Sequence, residues 1–178
     1  MSGVTVVVTG LPASGKSTLA RALADGLRLP CFSLDSVKEA MVDALPASVT
    51  RDRFAVRSAA RNVLVRLVAE HPRGSVVDVW VNPTRDETEL TAALAALPGA
   101  EFVELVCRVP VATSLERYAA RTRHPAHLPL DADTERRIRE AAPALRPLGL
   151  GPHLDVDTTT SVDLARVEGW PREHRVAT

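Results

Sequence analysis

The stretch Gly10-Leu-Pro-Ala-Ser-Gly-Lys-Ser17 matches the phosphate-binding pattern G-x-x-x-x-G-K-S/T at every fixed position. An apolar run over residues 4–8 precedes it, and leucines spaced four residues apart follow it, at Leu19, Leu23 and Leu27. A strand, a glycine-rich loop and a helix, in that order, form the setting in which this motif binds phosphate. The alternative, a turn that only joins a strand to a helix, is disfavoured by this context. The sequence therefore predicts an α/β protein that binds a nucleotide.

The fixed residues of this loop each have a physical task. Gly10 and Gly15 let the backbone turn its N–H groups around an anion, and the helix that starts near Gly15 adds the positive end of its dipole. Lys16 is predicted to reach the β- and γ-phosphates of the nucleotide, and the Ser17 hydroxyl to ligate Mg²⁺. The only lysines among the 22 basic residues are Lys16 and Lys38, which indicates a need for a compact ammonium group in the loop.

Length and composition are those of one ordinary globular domain. The chain has 178 residues, 46% of them hydrophobic, and 22 basic residues balance 22 acidic ones. Zero net charge and an aromatic content of 3% give no support to nucleic acid as a partner. We expect a cytoplasmic protein without a membrane segment, in which Cys31 and Cys107 are buried free thiols. The sequence leaves the oligomeric state open.

Apolar runs alternate with helical patterns, which favours a three-layer α/β fold with a parallel sheet and helices on both faces. Five strands are predicted, near residues 3–9, 31–34, 75–81, 101–108 and 153–157. Seven helices are predicted, near residues 15–28, 36–45, 51–71, 85–97, 111–122, 133–142 and 161–168. Two helix starts carry a capping pattern, Ser36 with Glu39 and Thr84 with Glu87. One domain over residues 1–168 and a polar, mobile tail over 169–178 account for the chain.

Two carboxylates lie on predicted strands or directly after them, near the edge at which open α/β sheets bind ligands. Asp35 is suited to accept the proton of an attacking hydroxyl, or else to cap the next helix. Ser36 already provides a cap, so catalysis is the favoured interpretation. Asp78 lies inside an apolar predicted strand, where an acid without a partner is costly. A Mg²⁺ site would supply that partner, and a structural hydrogen bond is the alternative.

Arg117 and Arg121 lie four residues apart in a predicted helix and therefore share a face. A break follows at the end of this helix, so that residues 117–130 are predicted to form a mobile cationic lid over the phosphates. A solvated helix face is the alternative. His124 and His127 have the spacing of metal ligands, but no cluster of cysteines or carboxylates completes a zinc site.

Further arginines recur at helical spacing, at Arg53, Arg57 and Arg61. They form either a solvated face or one wall of a pocket for an acceptor molecule. Trp80 and Arg85 follow the third predicted strand and are further candidates for that pocket.

With these residues in view, the chain resembles, over nearly its whole length, the P-loop kinase family that includes chloramphenicol phosphotransferase, polynucleotide kinase and zeta-toxin-like proteins. The pieces that carry the resemblance are Thr9–Thr18, Ser33–Glu39, Val76–Asp78 with Asn82 and Arg85, the lid-like stretch Glu116–His127, and Asp155–Thr159. The lid-like stretch is also similar to the gluconate-kinase lid.

The resemblance implies ATP and Mg²⁺ as ligands and assigns roles to several residues. Asp35 is then the general base, Asp78 belongs to the surroundings of the Mg²⁺, and Arg117, Arg121 and Arg123 are lid arginines. The residues that it implies for nucleotide binding are Gly10, Ala13, Ser14, Gly15, Lys16, Ser17, Thr18, Arg121 and Thr158.

Three functions agree with this pattern. The first is an ATP-dependent kinase that phosphorylates a hydroxyl group of a small molecule, such as a metabolite, nucleoside or antibiotic. The second is a polynucleotide 5′-hydroxyl kinase, which the zero net charge does not support. The third is a regulatory ATPase without an acceptor. A GTPase switch would need an Asn-Lys-x-Asp motif, which neither lysine provides. The first interpretation is preferred.

Overall fold

The computed structural model describes residues 3–84 and 87–174. Within those ranges the chain forms five strands, eight helices and one 3-10 turn. The strands are β1 (Val4–Gly10), β2 (Cys31–Ser33), β3 (Ser75–Asp78), β4 (Glu101–Arg108) and β5 (His153–Asp157). The helices are α1 (Lys16–Leu27), α2 (Leu34–Ala44), α3 (Ala47–Thr50), α4 (Arg53–Ala69), α5 (Glu87–Ala95), α6 (Val111–Ala119), α7 (Ala132–Ala141) and α8 (Leu164–Glu173), and the 3-10 turn spans Ala142–Ala144.

All five strands run parallel in one sheet, in the order β2-β3-β1-β4-β5. Val8 of β1 and Ser33 of β2 both lie beside Asp78 of β3, and Gly10 lies beside Cys107 of β4. Because the strands share one direction, their carboxyl ends meet along a single edge of the sheet. The predicted α/β fold with a five-stranded parallel sheet is confirmed.

The pleat of β1 shows how the sheet is covered on both faces. Val6 and Val8 point into one apolar cluster, where they meet Leu23 of α1, and α8 packs beside α1. Val7 points into the opposite cluster, where it meets Leu64 of α4, and α5 packs beside α4. A strand buried on both faces needs an almost continuous apolar run, which is what residues 4–8 provide.

A buried glutamate fastens the irregular segment that precedes β5. Glu104 of β4 has no exposed surface, and its two carboxylate oxygens accept hydrogen bonds from the N–H groups of Leu148, at 2.5 Å, and Leu150, at 2.7 Å. A buried carboxylate is tolerated when its oxygens are paired in this way. Segment 145–152 is thereby tied to β4, beside the edge strand β5.

The start of α2 differs from the prediction. Its N-cap is Ser33, whose hydroxyl accepts a hydrogen bond from the Ser36 N–H, so the prediction that Ser36 caps this helix is wrong. The reason is local, because β2 ends at Ser33 in an extended conformation that brings its hydroxyl over the next turn. Asp35 therefore lies in the first helical turn and does not serve as the cap.

Three element ends also differ from the prediction. Strand β3 ends at Asp78, so this residue lies at the carboxyl edge and not in the strand interior. Helix α6 ends at Ala119, because the chain turns back and the Tyr118 hydroxyl donates to the Leu128 carbonyl, at 2.8 Å. Helix α8 continues to Glu173 because its apolar side, which includes Trp170, packs on the core; the predicted end at 168 is too early.

Two predictions fall at or beyond the edge of the described ranges. Arg85 lies outside the described residues. The Thr84–Glu87 capping pattern spans the same gap, and Thr84 itself donates from its N–H and its hydroxyl to Asn82 Oδ1. None of the helices in ranges 3–84 and 87–174 is long and apolar enough to cross a membrane.

Candidate active site

The phosphate loop joins β1 to α1 through three left-handed backbone positions. Gly10, Ala13 and Gly15 have φ angles of 154°, 58° and 91°. A Cβ atom at Gly10 would lie 2.6 Å from Ser14 Oγ and 2.9 Å from Cys107 Cβ, so only glycine fits there. Such a backbone turns successive N–H groups toward a common centre, which suits an anion.

The donors around this centre have few partners within the protein. Helix α1 has Gly15 as its N-cap, with no side-chain cap and no acidic residue in its first turn. The buried Ser14 hydroxyl makes no hydrogen bond with any described residue. Lys16 is 6% exposed, and its side chain still reaches the adjoining cavity. Unpaired donors of this kind are stabilised by a bound phosphate, so the loop fits the group that its sequence predicts.

Asp78 provides a second test, for Mg²⁺. The residue is 3% exposed, its Oδ2 accepts a hydrogen bond from the Ser33 hydroxyl at 3.2 Å, and its buried Oδ1 has no partner among the described residues. An unpaired buried polar atom costs about 1–3 kcal/mol or more. A hydrated Mg²⁺ would compensate it, because Mg²⁺ is usually held by one or two protein oxygens together with phosphates and waters. The residues present therefore fit the ion, with Ser17 at the start of α1 as the second expected contributor.

No group of three or more histidine, cysteine, aspartate or glutamate side chains in the described ranges is arranged to hold a metal. Cys31 and Cys107 are both free, although Cys31 is only half-buried. Burial, reinforced by Asp78 and opposed by Lys16, raises the pKa of the Cys107 thiol to about 12. The Cys107 thiol, which lies beside the phosphate loop, is therefore uncharged at neutral pH.

Helix α6 supports the nucleotide end of the site from one side. The buried Ser114 hydroxyl donates to the Pro12 carbonyl of the loop, at 2.6 Å. Arg117 donates to the carbonyls of Thr158, at 3.0 Å, and Thr159, at 2.8 Å. A Cβ atom at Gly15 would lie 3.5 Å from Thr158 Cβ, so the turn after β5 lies beside the phosphate loop.

The two predicted lid arginines have different surroundings. Arg117 is held by the turn after β5, whereas Arg121 lies beyond the end of α6 and is exposed. The prediction that both share one helix face is wrong, because the helix ends at Ala119. Their catalytic roles stay predictions.

A cavity of about 400 Å³ opens beside Lys16 and is the candidate acceptor pocket. The residues that line it come from the phosphate loop, α2, α4, the segment after β3, the lid segment (residues 117–130) and α7. The predicted pocket residues Asp35, Arg57 and Trp80 are in its wall, together with Arg53 and Arg61.

Asp35 faces this cavity between the two lysines of the chain. Its Oδ1 lies 2.5 Å from Lys38 Nζ. Burial opposes ionisation of Asp35, but Lys38, Lys16 and His127 outweigh burial and hold the pKa of this carboxyl below its ordinary value. Asp35 is therefore ionised at neutral pH and can accept a hydrogen bond from a hydroxyl group.

The lid segment lies against α2. His127 Nε2 lies 2.6 Å from Glu39 Oε1, and His124 Nε2 lies 3.0 Å from Asp43 Oδ1. The Ala126 N–H donates to His124 Nδ1, so this nitrogen is an acceptor and Nε2 carries the proton that Asp43 accepts. The two histidines therefore fasten the lid segment to carboxylates one helical turn apart.

Several contributors to the pocket were not predicted from the sequence, among them Lys38, Tyr118 and Arg137. Lys38 had a visible signal, since it is the only other lysine. Tyr118 and Arg137 gave none, because each enters the wall from an element far away in the sequence. The Tyr118 ring supports Arg123, whose Cζ lies 3.8 Å from the ring centroid.

Comparison with known proteins agrees with this geometry. The family described as AAA domain, AAA_33, matches residues 5–142. A proposed kinase from Chloroflexus aurantiacus J-10-fl is 30% identical, with a TM-score of 0.82, and the match covers 98% of this chain and 99% of that one. No curated protein matches the sequence.

Two further solved structures show the same fold at lower identity. Shikimate kinase from Acinetobacter baumannii, solved with shikimate, is 15% identical, with a TM-score of 0.65 and coverage of 96% of this chain and 92% of that one. A gluconokinase from Sinorhizobium meliloti 1021 is 20% identical, with a TM-score of 0.52 and coverage of 94% and 89%. The resemblance to P-loop kinases is thereby confirmed. Because the family match spans more than half of the chain, the protein belongs to the AAA_33 family, and its fold is the one that these P-loop kinases share.

Proposed function

We propose that the protein is an ATP-dependent kinase that transfers the γ-phosphoryl group to a hydroxyl group of a small molecule. The observation that carries this proposal is the position of Asp35 and Lys16 in the wall of one cavity. A carboxylate that accepts the hydroxyl proton and an ammonium that binds the transferred group are the two parts that phosphoryl transfer requires from the protein.

The chemistry follows from what these side chains can do. ATP supplies the phosphoryl group, and Mg²⁺ neutralises charge on its phosphates. The acceptor oxygen forms a bond to the γ-phosphorus, the bond from that phosphorus to the bridging oxygen of ADP breaks, and Asp35 takes the hydroxyl proton before it passes to water. Lys16 and the loop N–H groups stabilise the charge on the phosphate oxygens.

The lowered pKa of Asp35 agrees with this role. A carboxylate of low pKa is a weak base, but the proton leaves the acceptor late when the transition state is loose. The main task of Asp35 is then to stay ionised and to orient the hydroxyl, for which Lys38 holds it in place.

The pocket also favours this function over the alternatives. A regulatory ATPase needs no enclosed space beside Lys16 and no carboxylate within it. A volume of about 400 Å³ lies in the range of small-molecule sites. The lid segment, which is fastened to α2, forms part of the wall of this space.

The test is ATP consumption and product formation with a panel of sugars, hydroxy acids, nucleosides, hydroxylated antibiotics and 5′-hydroxyl oligonucleotides. With the best acceptor, Asp35→Asn is expected to lower the transfer rate about 100- to 1000-fold and to leave ATP affinity unchanged. Asp25→Asn, on the exposed side of α1, is the matched control. Full transfer activity in Asp35→Asn would exclude the role of Asp35, and acceptor-independent hydrolysis as the only activity would favour a regulatory ATPase.

A further inference from the structure

The first nine residues of α4 place a cationic and aromatic wall in the same cavity as the proposed catalytic carboxylate, Asp35. Arg53, Phe54, Arg57 and Arg61 all line the cavity. The three arginines are four residues apart, so they follow one face of the helix. We propose that this wall binds an oxyanion of the acceptor, a carboxylate or a phosphomonoester, while the acceptor hydroxyl meets Asp35. This inference rests on the proposed kinase function and names the class of its substrate.

The positive charge of the cavity is local. The whole chain has zero net charge, yet seven arginines and lysines are among the described residues that line the cavity, and Asp35 is the only carboxylate among them. Lys16 is committed to the phosphates, and Lys38 is paired with Asp35. One carboxylate and seven cationic side chains therefore line the cavity, and this local field stabilises an anionic acceptor more than a neutral one.

The arginines of this wall are not equivalent. Arg61 is buried and donates to Glu89 Oε2, at 2.8 Å, which gives it a structural role. Arg137, on the opposite wall, pairs with Asp133. The side chain of Arg53 makes no hydrogen bond or ion pair within the described part of the chain, and only its backbone N–H donates, to the Arg51 carbonyl. The Arg53 guanidinium is therefore available to bind a carboxylate or phosphate through two parallel hydrogen bonds.

Phe54 is an independent indication of a ligand. Its side chain is 63% exposed although it lines the cavity, and Arg57 Cζ lies 5.9 Å from its ring centroid. A bound molecule that covered this ring would remove apolar surface from water and strengthen the contact of the ring with Arg57. The acceptor is therefore expected to combine its anionic group with an apolar or ring-shaped body.

The amide groups of the helix start are already used. Asp52 caps α4, and its Oδ1 accepts from the N–H groups of Phe54, at 3.1 Å, and Ala55, at 3.0 Å. The proposed oxyanion site is therefore formed by side chains, and substitution of those side chains tests it directly.

The first measurement is binding, by calorimetry, of three groups of compounds to the full chain with saturating ADP and Mg²⁺. The groups are small hydroxycarboxylates, phosphomonoesters of hydroxylated compounds, and neutral polyols and nucleosides at matched ionic strength. We expect compounds from one of the first two groups to bind the wild type, and Arg53→Gln to weaken them about 10- to 100-fold. Arg66→Gln, near the far end of α4 and 77% exposed, is the matched control. Arg57→Lys, which keeps the charge but not the two parallel bonds, is expected to weaken binding less than Arg57→Gln.

The second measurement is turnover of the compounds that bind. An increased KM for the acceptor in Arg53→Gln, with unchanged KM for ATP, supports the oxyanion site. Preferential binding of a neutral compound, or equal binding of the anion by wild type and Arg53→Gln, overturns it and leaves the kinase function intact. Anion binding without phosphorylation leaves the oxyanion site standing and counts against the kinase. Salt-dependent labelling of a 5′-hydroxyl oligonucleotide alone would overturn both in favour of a polynucleotide substrate.

Discussion

The phosphate end and the acceptor end of the cavity are built in different ways. The proposed phosphate end is one run of consecutive residues, 10–17, that offers backbone N–H groups and a single lysine. The acceptor end is formed by side chains from α2, α4, the lid segment and α7. Asp35 and Arg137, for example, line the same cavity although they are about a hundred residues apart in the sequence. A backbone site tolerates few changes, whereas each side chain of the acceptor end can change alone. One fold can therefore keep its phosphate donor while its acceptor varies.

The largest expected effect lies at the phosphate end. Lys16→Ala removes the ammonium that contacts the transferred group, so kcat/KM for ATP is expected to fall by at least about 1000-fold. Steady-state kinetics with the best acceptor measure this, and calorimetry with ADP reports the loss of affinity separately. Near-normal turnover in Lys16→Ala would show that the loop is not the phosphate site, and the distinction between a phosphate end and an acceptor end would then not hold.

The next effect tests the support that α6 gives to the nucleotide end. Arg117→Ala removes two hydrogen bonds to the turn after β5, and we expect KM for ATP to rise about tenfold while KM for the acceptor stays the same. Arg166→Ala, on exposed α8 surface, is the control. A fall in kcat with unchanged KM for ATP would instead support the predicted role of Arg117 as a lid arginine.

A pH profile tests how Lys38, at the acceptor end, affects the pKa of Asp35. The pKa of Asp35 is lowered in the folded protein, so its contribution to stability is present above its unfolded pKa and is lost as pH falls through the folded pKa. Lys38→Gln removes a cation that lowers the pKa of Asp35 but leaves the Asp35 carboxyl buried. The acid limb of kcat/KM for the acceptor is therefore expected to move to higher pH, and its position is measured from about pH 4 to pH 8. An unchanged limb would mean that Lys38 does not act on Asp35.

The smallest effect is expected at the contact between the lid segment and α2. Asp43→Asn weakens the partly exposed bond to His124, and a pair of this kind contributes about 1 kcal/mol at most. We expect acceptor-independent ATP hydrolysis to rise by no more than about fivefold, because water then enters the cavity more often. The ratio of hydrolysis to transfer is the measurement. A loss of ATP affinity would show that this contact serves the phosphate end.

The difference between the two ends also explains what the sequence could predict. The loop, its strand and its helix were predicted because their signals are local. Asp35 lines the candidate pocket as predicted, but part of the reasoning was wrong, since Ser33 and not Ser36 caps α2, and its catalytic role stays a prediction. The spacing of Arg53 and Arg57 predicted a shared face but not whether that face meets solvent or a cavity, because the packing of other elements decides it. Helix α6 was predicted too long for the same reason, as its end depends on the contact of Tyr118 with Leu128.

Helix α6 is short, and it contacts three different parts of the candidate site. Nine residues span about 13 Å, and along that length the helix is joined to the phosphate loop through Ser114, to the turn after β5 through Arg117 and to the lid segment through Tyr118. A helix of this length does not bend appreciably, so a tilt at one of these points displaces the other two. A tilt of α6 on filling of the phosphate loop would therefore displace the lid segment as well, with the chain just beyond Ala119 as the hinge between them.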